Sequence, residues 1–176
     1  SGKDGFYYLF DDSWFKVIDA TDPDSVSEVN SIFIDYNRIN NTSTTDDFLY
    51  VFGDYNFGIF DISDPANPDL LSEYRFQNNI MPRKGVVHNE RAFIISGANV
   101  YVLSVENPNR IRLIGQFQVQ GNILDAVIEN DIFYSANGLS RQGESQGALI
   151  ITDISDINNT RDISISYIED VLLESI

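Results

Sequence analysis

Cysteine is absent from this sequence, and tryptophan, methionine and histidine occur once each. Without a thiol there is no disulfide, no thiolate metal centre and no cysteine nucleophile. One histidine, His88, cannot form a transition-metal cluster, and nothing places a Ser-His-Asp set around it. Lying next to a turn, it reads as a solvated side chain. Basic residues are scarce, 11 Lys and Arg against 27 Asp and Glu, for a net charge of -16. Binding to phosphates is driven by Lys and Arg, so nucleic acid is not an expected partner, and neither is an anionic membrane surface. No apolar run approaches the length of a membrane span, so direct insertion is not expected. The opening SGKDGFYYLF lacks the basic-then-apolar layout of a signal peptide, and export would require a leader already removed. No glycine-rich loop ends in Lys-Ser or Lys-Thr, as a phosphate loop would. The acidic balance suits a self-repelling surface, a cationic ligand or Ca²⁺. The short stretches at 11–13 and 53–56 do not define a Ca²⁺ loop, so no cofactor is assigned and Ca²⁺ stays open.

The chain is rich in short alternating strands and in one recurring turn. Four stretches align: FKVIDATDPDSVSEVNSIF, FGIFDISDPANPDLLSEYRF, VYVLSVENPNRIRLIGQFQV and ALIITDISDINNTRDISISYI. Asp19, Asp61, Ser104 and Asp153 share one column, at spacings of 42, 43 and 49 residues, and Asp22, Asp64, Asn107 and Asp156 share the next. Repeats of about 43 residues built of short strands mark a β-propeller or a related array. The fold expected is all-β, of four-stranded antiparallel blades, with repeats at 5–46, 47–89, 90–130 and 131–176. Each unit reads as an inner strand, a tight turn, a second strand, a third strand ending at the Asp turn, and an outer strand. The third strands are apolar on both faces, as a strand sandwiched between neighbouring sheets must be. Asp64 accepts from backbone N–H groups of its turn, Pro65 sets φ at the second turn position, and Asp61 satisfies further donors. Recurrence, with Ser104 and Asn107 as weaker forms, makes Asp19, Asp22, Asp61, Asp64, Asp153 and Asp156 structural rather than catalytic.

The motif GIFDISDPANPDLLSEY resembles the LVIVD repeat, a bacterial and archaeal β-propeller family in which an apolar strand precedes Asp-[Ile/Val]-Ser-Asp-Pro. The resemblance covers nearly the whole chain in four copies, and the third departs from it by lacking both aspartates. It implies a propeller fold and a surface or secreted setting, and it implies no particular activity.

The chain is expected to begin in a second strand, Phe6 to Phe10. Its tail, 168–176, resembles the inner strand LDAVIEND and would supply an inner strand to a further blade or to the first one. Two readings stand: a four-bladed ring closed by the tail, or part of a larger ring, the latter preferred. The partners expected on that account are the remainder of a longer chain or a self-associating ring.

Loop placement divides the two ends of the sheets. Turns between first and second strands, such as Asn89-Glu90 and Asn130-Asp131, fall at the end carrying the Asp-Pro turns. The opposite end is expected to carry the irregular segments: 11–14, 53–56, 96–99, a long loop at 137–147, and connectors at 36–45 and 77–84. Binding residues favour loops on a rigid scaffold. The ligand-binding residues read there are Trp14, Tyr55, Arg83, Lys84, Arg141, Gln142 and Glu144, whose aromatic and polar mix suits a glycan or a protein loop. Asn41, Lys84, Asp125 and Asp170 are expected to ring the mouth of a central channel, with the Lys paired between blades. Asn40, Asn41 and Asn158 lie in glycosylation sequons. The function expected is a non-enzymatic extracellular or cell-surface module that binds a protein or glycan through this face. Two alternatives are a carbohydrate-active hydrolase or lyase using Asp125 and Asp170, and a structural blade array in a larger surface assembly.

Overall fold

Alternating apolar residues punctuated every six to eight positions by Asp, Asn, Gly and Pro specify short antiparallel strands joined by tight turns. The computed structural model has that architecture and describes residues 1–11, 13–77, 80–141 and 144–168, without the side chains of residues 140, 141, 144 and 145. The C-terminal stretch 169–176, with Asp170, and Gln142 therefore lie outside the described residues.

Sixteen strands form four antiparallel sheets of four strands each, with no helix among the described residues. The first sheet contains β1 (Gly2–Lys3), β2 (Phe6–Asp11), β3 (Trp14–Asp19) and β4 (Ser27–Phe33). The second contains β5 (Ile39–Thr44), β6 (Phe48–Gly53), β7 (Asn56–Asp61) and β8 (Asp69–Arg75). The third contains β9 (Lys84–His88), β10 (Arg91–Ser96), β11 (Asn99–Ser104) and β12 (Arg112–Gln118). The fourth contains β13 (Asn122–Glu129), β14 (Ile132–Arg141), β15 (Glu144–Asp153) and β16 (Arg161–Ile168). In every sheet the strands lie side by side in chain order. The sheets are thus offset by one strand from the sequence repeats, since β5 belongs with β6 although it falls in 5–46.

The chain divides into two compact units, one of Ser1–Gly85 with Val105–Ile111, the other of Val86–Ser104 with the chain from Arg112 onward. Each holds a core made where one sheet faces the next. In the first unit Tyr8, Phe15, Val17 and Ile34 pack with Leu49, Val51, Phe60 and Ile62. In the second, Phe93, Val100, Val102 and Phe117 pack with Ala126, Phe133, Ile154 and Ile157.

The turns follow from their residues. Asp4-Gly5, Asn89-Glu90 and Asn130-Asp131 all have positive φ, the signature of a two-residue hairpin turn whose twist matches its strands. Gly5 is required twice over, because its φ is +85° and a Cβ would lie 2.9 Å from Thr21 Cγ2. At the third turn of each sheet, Asp22, Asp64, Asn107 and Asp156 accept from the backbone N–H two residues on, at 3.0–3.1 Å. Their own carbonyls accept from the residue three on, closing a β-turn with Pro65 in its second position. Asp19, Asp61 and Asp153 accept from the N–H of Thr21, Ser63 and Ser155. Hydroxyl donation from these same partners, then their backbone N–H, holds the three carboxyls below the ordinary 3.8.

Four expectations are corrected. The chain does not open in a second strand: Gly2 and Lys3 pair with Tyr7 and Phe6 as a two-residue first strand. The segment expected as a loop at 137–147 is largely strand: 137–141 and 144–147 extend β14 and β15, with Asn137 opposite Ala148 and Arg141 opposite Glu144. Polar residues there obscured an alternation in which Leu139 and Ala148 are buried. Most of 36–45 is likewise strand, β5, which lies at one edge of its sheet with its residues part-buried. Finally, His88 is not simply solvated, since its Nε2 is buried and has no hydrogen-bond partner among the described residues.

Candidate functional site

The second-to-third-strand turns are tied to the chain leaving each outer strand. Ile34 N donates to Ser13 O at 2.8 Å, Phe76 N to Tyr55 O at 2.7 Å, and Val119 N to Ala98 O at 3.1 Å. These bonds hold the sheet-to-sheet connectors against the turns, so the connector and the turn form one surface.

In the first unit this surface contains a cleft of about 350 Å³ lined by Arg38, Asn40, Asp54, Met81, Pro82 and Arg83. Its framework is polar and internally satisfied. Asn40 lies at a β-bulge, skipped between the pairs Ile39–Gly53 and Asn41–Phe52. From there its amide donates to Asp54 Oδ1 at 2.9 Å and to Pro82 O at 2.7 Å. Asn37, in the left-handed region at φ 61°, donates to Asp54 Oδ2 at 3.0 Å. Asp54 N closes the frame on Arg38 O at 3.0 Å. The Asp54 carboxylate is therefore held by two neutral amides. Arg38 and Arg83, both exposed, form no ion pair among the described residues. Two guanidiniums without an ion-pair partner among the described residues line the same cleft as Met81 and Pro82 and can receive a planar anionic group, while the fixed carboxylate and amide offer hydrogen bonds to hydroxyls.

Behind the cleft, Tyr36 packs on Gly53 and Gly58; at Gly58 a Cβ would overlap the phenol oxygen, so only glycine admits the ring. Burial first, and then the charge of Glu73, pushes the Tyr36 hydroxyl well above its ordinary value, and it stays neutral.

Of the residues read from sequence, Arg83 lines the cleft and Tyr55 is an exposed member of its turn. Arg38, Asp54 and Met81 carry no such expectation, and Asn40 stands out in the sequence only as a glycosylation sequon. Only the bulge brings Asn40 to Asp54, and no sequence pattern marks that bulge in advance. Trp14 is exposed but does not line the cleft; it pairs across the sheet with Phe33, ring centroids 5.4 Å apart. Lys84 opens β9. Asn41 and Asp125 occupy the same register, each just after a bulge in the first strand of its sheet. Asn41 Oδ1 accepts from Gly85 N at 3.3 Å, and buried Asp125 accepts from Ala126 N at 2.8 Å. Asp170, the other half of the hydrolase reading, is outside the described residues, as is Gln142. Arg141 and Glu144 form the last pair of the β14–β15 ladder. No three acidic or histidine side chains among the described residues gather as a metal-ligand set, so no position is assigned to Ca²⁺.

No protein-family model matches the chain, and no curated protein matches it. Among solved structures the chain is similar to a functionally unknown protein from Desulfotomaculum acetoxidans DSM 771, with a TM-score of 0.69 and 14% identity. The match covers 97% of this chain and 56% of that protein. At that identity the likeness concerns the fold alone.

Proposed function

We propose that the four sheets are blades of a β-propeller of the LVIVD type, and that the chain is a non-enzymatic module of an exported or cell-surface protein. It binds a protein loop or glycan that presents a carboxylate, through the end of the sheets where the second-to-third-strand turns lie. The observation that carries this reading is the cleft of Arg38, Asn40, Asp54, Met81, Pro82 and Arg83, in which two guanidiniums lack a carboxylate partner among the described residues. In a chain of net charge -16, unpaired cations collected in one concavity favour an anionic group there.

The test is binding of the purified chain to an array of uronic-acid glycans, their neutral counterparts and acidic peptides. Retention of acidic ligands that is lost in Arg38→Ala/Arg83→Ala, with melting unchanged, supports the reading. Equal retention of neutral and acidic ligands, or a variant that binds like the parent, overturns it.

A further inference from the structure

The joint between one sheet and the next is built from two complementary faces. The leading face is clearest in the first sheet, where Tyr8, Phe15 and Val17 are buried. The receiving face is clearest in the second, where Leu49, Val51 and Phe60 have 0% exposure. Polar contacts lock the joint at the Asp-Pro turn. Tyr8 Oη donates to Pro65 O at 3.3 Å, and the Asn30 amide donates to Ala66 O at 3.1 Å. Ser72, which stands in β8 where Asn30 stands in β4, donates in the same way to Pro108 O.

The first sheet's own receiving face is open. Tyr7 and Leu9, in register with Leu49 and Val51, are each 54% exposed. Its turn is open too: Pro23 is exposed, and Val26 is 56% exposed where the equivalent Pro68 is buried. The fourth sheet's leading face is open in the same sense. Leu149 and Ile151, in register with Phe15 and Val17, are only part-buried, and Val127 in the same cross-strand row is 46% exposed.

These two faces match each other in polar as well as apolar positions. Tyr134 stands where Tyr8 stands, and Ser164 where Asn30 and Ser72 stand. Pro23 and Asp24 stand where Pro65 and Ala66 supply their carbonyls. We propose that a second copy of this chain docks head to tail, the fourth sheet of one copy seating Val127, Tyr134, Ile151 and Ser164 against Tyr7, Leu9 and the Pro23 turn of the other. In that joint the Ser164 hydroxyl donates to the Pro23 carbonyl as Ser72 does to Pro108. One chain carries both halves of the joint, so a second copy supplies each missing partner with side chains already suited to it.

Sedimentation velocity of the chain tests this, with Leu9→Lys and Val127→Lys as variants at exposed positions and circular dichroism to verify their folding. The parent is expected to sediment at a mass of at least twice 19.9 kDa. Each variant alone is expected to sediment as one copy. An equimolar mixture of the two is expected to associate again, because the intact fourth sheet of one meets the intact first sheet of the other. A parent that stays monomeric overturns the proposal and leaves these faces to another sheet or partner. Association that survives both variants, or a mixture that does not recover, overturns it as well.

Discussion

The two units close the same kind of joint with different chemistry. In the first, the contact is aromatic and pinned by polar bonds: Phe15 meets Phe60 edge-on at 5.3 Å and 88°, while Tyr8 and Asn30 donate into the Asp-Pro turn. In the second, Phe117 meets Phe133 with nearly the same geometry, 5.4 Å and 88°, although the rings come from different strands of their sheets. There the turn carries Ile157 where the first unit has Pro65, and the position of Asn30 is Gly115, lying directly against the Ile157 side chain. Hydrogen bonds into a carbonyl in one unit are thus replaced by close packing in the other. Both joints keep an edge-on ring pair of the same geometry, and either chemistry can accompany it.

Removing a ring from either joint is the strongest way to break this equivalence. Phe60→Ala and Phe133→Ala are each expected to cost about 3–5 kcal/mol, read by denaturant unfolding. If one costs far less than the other, the two joints do not bear equal weight. Gly115→Leu comes next, at about 1–3 kcal/mol, because the added side chain must displace Ile157. The same enlargement at the polar joint, Asn30→Leu, should cost less in packing and mainly forfeit a hydrogen bond. Tyr8→Phe sharpens the contrast further, at about 0.5–1.5 kcal/mol for its bond to Pro65.

Tyr8 also gives the first unit a pH signature. Burial, with the charges of Asp4 and Asp64, pushes its hydroxyl up to about 12. For an acid whose folded value is raised, ionisation of the unfolded state alone drains stability between the two values, and the loss is complete above the folded one. Stability should therefore be intact below pH 10 and fall as pH rises from 10 through about 12, with a shallower fall in Tyr8→Phe. The turn aspartates run the other way. Asp19, Asp61 and Asp153 are lowered, so their contribution is present above 3.8 and is lost as pH falls below it. Asp153→Ala should lower the melting temperature at neutral pH by less than any ring deletion, and the gap to the parent should close as pH falls below 3.8. Arg83→Ala should leave melting unchanged and affect only binding.

Strand and turn positions were legible because each is specified locally, by alternation and by a residue suited to the turn. The Asp and Asn columns are examples, since their hydrogen bonds reach only two or three residues along the chain. The β14–β15 extension was misread for the opposite reason. Gly138, Ser140 and Ser145 look like loop residues, and only the cross-strand ladder, with Leu139 buried against Gly121, shows that the segment continues as strand. Of the cleft, only Arg83 was legible as a binding residue, placed by strand order. The Asn40–Asp54–Pro82 frame depends on a bulge and on a connector arriving from 42 residues away. That its two arginines lack an ion-pair partner among the described residues is a tertiary property, invisible to composition.

Each outer strand carries a kink at the same register: Val29, Leu71, Ile114 and Ile163 are skipped by the ladder to the third strand. All four are apolar, and Val29, Ile114 and Ile163 are largely exposed. An outer strand studded with branched aliphatics would ordinarily invite a foreign strand to zip along its free backbone groups. The bulge breaks that backbone into two short runs with different twist, so an incoming strand in register with one run falls out of register with the other. Repeated in the fourth strand of every sheet, this kink works against edge-to-edge pairing with a second chain, so exposed apolar margins need not be continuous pairing templates.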